Sequence, residues 1–126
     1  MSSSDLRSVS PVVILAPIDC ADTTAATSGW IDVRTYEGDV AVIQNVGVVT
    51  AGTIVGKVRH ASDGSGTGAA DLGGATFTSV GTSTDNSVQK TVFRASATLG
   101  YIQYVGTITT GPALVGATLL ARLDTV

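Results

Sequence analysis

The residues able to do chemistry are few. Among 126 residues there is one His (His60), one Cys (Cys20) and one Glu (Glu37). Nucleophilic catalysis needs a base held between a nucleophile and an orienting group. His60 is the only imidazole, and no Ser sits in a nucleophile-elbow pattern. His60 and Cys20 together fall short of a zinc ligand set. A single Cys closes no intrachain disulfide, and Asp19 and Asp22 disfavour its thiolate. Cys20 therefore reads as a packing residue, compatible with a reducing cytoplasm. Asp32, Glu37 and Asp39 come nearest to paired carboxylates, but they flank a turn where solvation accounts for them. The expectation is a non-enzyme with no catalytic residue, no cofactor and no metal.

The loop Asp63-Gly64-Ser65-Gly66-Thr67-Gly68-Ala69-Ala70-Asp71 is the one stretch with ligand-like spacing. As a calcium loop, Asp63, Ser65 and Thr67 take the first, third and fifth positions, and Gly68 the sixth. The twelfth position, where a bidentate Glu belongs, is Gly74. As a phosphate loop it lacks the Lys-Ser/Thr that must follow the glycines. It reads as a flexible connection between strands, with Gly supplying positive φ.

Charge excludes further classes. Seven basic residues stand against ten acidic ones, for a net charge of −3. The densest basic stretch is Lys57-Val58-Arg59-His60, which is no phosphate-neutralising stripe, so no nucleic-acid partner is expected. Mean hydropathy is +0.37, yet the longest apolar run, Pro11 to Ile18, is far shorter than the roughly 20 residues of a spanning helix. Ser2-Ser3-Ser4-Asp5 makes a poor signal peptide, and Pro17-Ile18-Asp19 is no lipoprotein processing site. No membrane association is expected.

Composition points to strands. Val, Ile and Thr supply 42 residues, while Glu and Lys, which normally fill helix surfaces, supply three. Residues 1–10 read as a flexible polar arm and residues 11–126 as one domain. Segment 12–18 reads as a strand that Pro17 confines to an edge or an end. Trp30 to Tyr36 alternates, with Ile31 and Val33 on one face and Asp32 and Arg34 on the other. The turn Glu37-Gly38-Asp39 would join it to a hairpin partner at 40–46. Further strands are expected at 53–60, 75–80, 88–95 and 101–110, with a long loop at 61–74. Residues 113–123 fit a strand better than a helix because Gly116 and Thr118 lie inside the segment. About eight strands with regular turn signals make an all-β sandwich or barrel.

Three segments carry a resemblance: Ser28-Gly29-Trp30-Ile31-Asp32-Val33-Arg34; His60 to Asp71 with Gly74-Ala75-Thr76-Phe77; and Gly100-Tyr101-Ile102-Gln103-Tyr104-Val105-Gly106-Thr107. They are similar to capsid cementing, or decoration, proteins of tailed bacteriophages. The resemblance spans residues 28–123 and is one of pattern and order; residues 1–20 match nothing in it. It implies a jelly-roll-like antiparallel β-sandwich on the outer surface of an assembled icosahedral head. It further implies bridging of neighbouring major capsid subunits, in some members as a homodimer, after synthesis in the host cytoplasm.

Two functions follow as expectations. The first is a non-enzymatic virion protein on the outer capsid surface, partnered by the major capsid protein and by copies of itself. Val12, Val13, Ile14 and Leu15 are the candidate contact residues, either as an exchanged arm or as an internal strand, together with Trp30. The second is a carbohydrate-binding β-sandwich on a phage surface, with Trp30, Tyr36, Tyr101 and Tyr104 as stacking candidates. Tyr101 and Tyr104 fall on opposite strand faces, so at most one of them joins a given patch.

Overall fold

The computed structural model describes residues 9–122. The predicted arm at 1–10 lies outside them except for Val9 and Ser10, as does Leu123 of the last predicted strand. Nine strands follow in order: β1 (Ser10–Cys20), β2 (Ile31–Asp32), β3 (Asp39–Val49), β4 (Gly52–Ala61), β5 (Ala70–Thr76), β6 (Val80–Gly81), β7 (Ser87–Arg94), β8 (Tyr101–Thr110) and β9 (Ala113–Ala121). They form two sheets. One is four-stranded, ordered β1-β9-β3-β7; the other is ordered β2-β8-β4-β5, with β6 also on β4.

The pairing is nested. β1 pairs with β9, β2 with β8, β3 with β7 and β4 with β5, every pair antiparallel. A chain folded into one long hairpin and then rolled gives this order, which is the jelly roll. Alternation drives it. On β3, Val40, Val42, Gln44 and Val46 point inward; on β9, Ala113, Val115, Ala117, Leu119 and Ala121 do. The facing sheet contributes Ile54, Val58, Ile102 and Tyr104, with Leu72, Ala75 and Phe77 alongside. Each large apolar side chain so buried contributes about 1.5–3 kcal/mol.

One polar pair crosses this core. Tyr104 donates its hydroxyl hydrogen to Gln44 Oε1, and both side chains are fully buried. Gly56 makes room for the pair, because a Cβ there would meet Gln44 Oε1 and lie 2.7 Å from the Tyr104 hydroxyl. Burial pushes the Tyr104 phenol up, aided by Cys20.

Several expectations change. There is no hairpin across Glu37-Gly38-Asp39: β2 belongs to the five-stranded sheet, whereas β3 pairs with β7 and β9. The strand read at 30–36 shrinks to Ile31–Asp32. There the chain bends, because Asp32 Oδ1 accepts the Arg34 backbone N–H at 2.9 Å and Val33 O accepts that of Tyr36. The loop predicted at 61–74 ends early, since β5 starts at Ala70. The segment 113–121 is a strand, as expected. β1 is an internal strand rather than an exchanged arm, for it pairs with β9 from Ser10 to Cys20 within the same chain. Pro17 sits on this sheet edge, where the register shifts between Leu15 and Ile18.

Candidate interaction surfaces

The outer face of the four-stranded sheet is built from the residues between the buried ones. Register aligns them in rows. Pro11, Leu120, Ala41 and Val92 lie side by side across all four strands, and Val13, Thr118, Ile43 and Lys90 form the next row. Asn45 and Val88 lie beyond, and Asp39 and Arg94, opposite each other in the register, stand at the other end. Large exposed apolar side chains concentrate on this sheet: Val13 at 61%, Ile18, Val48, Val88 at 61%, Val92 and Leu114, against only Val55 and Leu99 elsewhere among the described residues. Single exposed apolar residues are ordinary; here the register sets them beside half-exposed Leu120, Ala41 and Ile43, so the apolar surface is continuous across the strands.

The predicted contact residues divide between the two sheets. Val13 stands on the exposed face of β1. Ile14 lies in the core, with Val12 and Leu15 packed against that core. Alternation turns Val12 and Ile14 inward and Val13 outward, and the register shift between Val13 and Leu15 brings Leu15 opposite the buried Ala117 and so to the core side as well. Trp30 is half-buried immediately before β2, against the backbone of Gly66: a Cβ at Gly66 would lie 3.0 Å from the indole Nε1.

The remaining aromatics are dispersed rather than gathered into a platform. Tyr104 is in the core, 6.1 Å from Phe77 between ring centroids. Tyr101 carries the Arg34 guanidinium 5.0 Å from its ring centroid. Arg34 also grips Asp32 through Nε at 3.0 Å and Nη2 at 2.8 Å. These hydrogen bonds, first the side-chain ones and then that from the Arg34 backbone, hold the Asp32 carboxyl down at about 2.

The 62–69 loop is organised by hydrogen bonds of its own. Asp63 organises it: Oδ1 accepts the Ser65 and Thr67 backbone N–H groups at 2.9 and 3.1 Å, and Oδ2 accepts the Thr67 hydroxyl at 2.6 Å. These bonds, the Thr67 hydroxyl foremost, hold the Asp63 carboxyl below the usual range. The carboxylate the calcium reading placed first is thus engaged by its own loop. His60 accepts the Leu99 backbone N–H at Nδ1, 3.3 Å away. Lys57 and Arg59 meet Asp71 across the β4–β5 pair, at 3.1 and 3.6 Å. Cys20 is buried, and that burial, with Asp19 and Asp22 adding to it, raises its thiol pKa.

Free edges are also managed. Beyond β2, the edge of β8 is covered by residues 23–28. Ser28 exchanges backbone and hydroxyl hydrogen bonds with Tyr104 at 2.9 Å, Gly106 donates to Ala26 O, and Ile108 donates to Thr23 Oγ1. On the opposite flank, the Gln89 side-chain amide bonds both the N–H and the C=O of Thr78, at 2.7 and 3.0 Å, and ties β7 to the other sheet.

A cavity of about 420 Å³ opens at one end of the roll, between the 33–38 turn and the 94–100 segment. Sequence reasoning gave no hint of it, because Arg34 and Arg94 meet there only through the nested topology. The apolar rows had a signal, since Val88, Lys90, Val92 and Arg94 alternate on one face of a strand.

No protein-family profile matches the chain, and no curated protein matches it by sequence. Solved structures do match in fold. A chain from infectious bursal disease virus, Gx strain, aligns with TM-score 0.52 at 10% identity, over 93% of this chain and 33% of that one. The isomalto-dextranase of Arthrobacter globiformis T6, solved with panose, aligns with TM-score 0.51 at 10% identity, over 90% of this chain and 23% of the enzyme. The SPBc2 prophage-derived protein YomS aligns with TM-score 0.46 at 11% identity, over 89% of this chain and 92% of YomS. This chain thus spans a third or less of the first two proteins, and the likeness is one of fold. The molecule is a jelly-roll β-sandwich, a fold found in virus-particle chains and in a carbohydrate-active enzyme alike.

Proposed function

We propose that the chain is a non-enzymatic virion structural protein that binds the outer surface of an assembled icosahedral capsid and cements neighbouring major capsid subunits. The observation that carries this reading is the outer face of the four-stranded sheet. Its aligned apolar rows form a broad surface with Lys90 as the sole charge among the four strands' central positions. Such a face suits a flat protein–protein contact. The resemblance to phage decoration proteins supplies the partner class, and the fold is shared with a virus-particle chain. Many identical contacts on a shell add by avidity, so each one need only be modest. An isologous homodimer on a capsid two-fold axis fits the same scheme. The acidic net charge favours the outside of a shell filled with nucleic acid.

Quantitative mass spectrometry of purified virions tests the reading. A copy number comparable to that of the major capsid protein is expected. A trace amount, or absence from virions, overturns it.

A further inference from the structure

The cavity at the end of the roll has a chemistry of its own, independent of the capsid reading. Two segments frame it, held together at both ends by backbone hydrogen bonds: Val33 N–H to Gly100 O and Ala95 N–H to Gly38 O, each 2.9 Å. Between these bonds the segments part. Val33 and Tyr36 give it an apolar side, Leu99 an exposed apolar rim, and Arg34, Arg94 and Ser96 a polar one. Arg34 is already neutralised by Asp32. Glu37 is turned to Arg122, 3.1 Å away. Arg94 differs. It stands directly across from Asp39 in the β3–β7 register and lines the cavity, yet it makes no ion pair within 4.0 Å among the described residues.

We propose that this cavity is a carboxylate-binding site, in which Arg94 takes the anionic head and Val33, Tyr36 and Leu99 take a short apolar body. A guanidinium presents parallel N–H donors that match a carboxylate's two oxygens. The Ser96 hydroxyl supplies a further donor at the same rim. The carboxylate belongs either to a free small acid or to a Glu side chain of a protein segment, and the two sources share this chemistry.

The test is an NMR titration of the ¹⁵N-labelled protein at constant ionic strength. The probes are sodium hexanoate, its neutral analogue hexanamide, and a short blocked peptide bearing one Glu. Saturable shifts of the Arg94, Ser96 and Leu99 amides are expected with one or both acids, at roughly millimolar Kd. R94Q should weaken them about tenfold, while leaving the spectrum elsewhere and the thermal melt unchanged. Stronger binding of the peptide identifies a protein segment as the source; stronger binding of hexanoate identifies a small acid. Equal binding of hexanamide, equal affinity in R94Q, or no saturation by about 50 mM would overturn the proposal.

Discussion

Replacing Tyr104 by Phe probes the hydrogen bond that spans the core. The hydroxyl is the only partner of the Gln44 amide among the described residues, since Gln44 Nε2 has none. Removing it strands a second buried polar atom, at a cost of about 1–3 kcal/mol. Taking 2 kcal/mol, the melting temperature of a domain this size falls by about 8 °C. Pairing the change with Gln44→Met removes both partners at nearly constant volume. The double variant should then lie within about 1 kcal/mol of wild type. Urea unfolding at pH 7, read as a double-mutant cycle with unchanged m values, measures the coupling. A Tyr104→Phe variant as stable as wild type, or strictly additive effects, would refute the assignment. Gly56→Ala gives an independent check, because its new Cβ strikes the same pair; it should cost about 1–3 kcal/mol.

Three further outcomes are expected. The Asp32 carboxyl should titrate near 2 by ¹³C NMR, and Arg34→Gln should return it toward 3.8. Because the folded value is the lower one, the small stabilisation from this exposed pair is present above about 3.8 and fades as pH falls toward 2. Deleting residues 10–20 should abolish cooperative melting by circular dichroism: the loss of Val12, Ile14, Leu15 and Cys20 from the core, at about 1.5–3 kcal/mol per large side chain, exhausts a typical net stability. A folded truncated chain would contradict the role of β1. Finally, Val88→Glu with Val92→Glu should leave the melt within about 0.5 kcal/mol, since both side chains are exposed, yet abolish co-sedimentation with capsid particles.

Strands that alternate cleanly are legible in the sequence, β3, β4 and β7 above all, because one face of each packs inward and the other turns out; β8 is legible from its apolar and aromatic residues, although Ile102, Gln103 and Tyr104 are all buried. β5 is not, for only Leu72 and Ala75 of its seven residues point inward, among Gly and Asp. Trp30 to Tyr36 misleads for the opposite reason. Ile31 and Val33 alternate with Asp32 and Arg34 as a strand would, yet the Asp32–Arg34 contact bends the chain out of the sheet after Asp32. Local pattern favours a hairpin wherever a turn separates two apolar runs. A jelly roll defeats that inference, since its pairs, such as β1 with β9, join residues far apart in sequence. The candidate sites follow suit. The apolar face needs a register that joins Pro11 to Leu120 and Ala41 to Val92, and the cavity needs Arg34 beside Arg94. Val12 to Leu15 read as contacts because they are consecutive and apolar, but pleating turns Val12 and Ile14 inward, the register shift after Val13 brings Leu15 to the core side, and only Val13 is well exposed.

Whether the outer face of the four-stranded sheet holds this protein on a capsid is decided most directly by electron cryo-microscopy of particles made with and without it. Extra density is expected on the outside of the shell, bridging capsid subunits, with β1-β9-β3-β7 turned toward the shell. Density inside the shell, no density at all, or the five-stranded sheet facing the capsid would contradict this attachment.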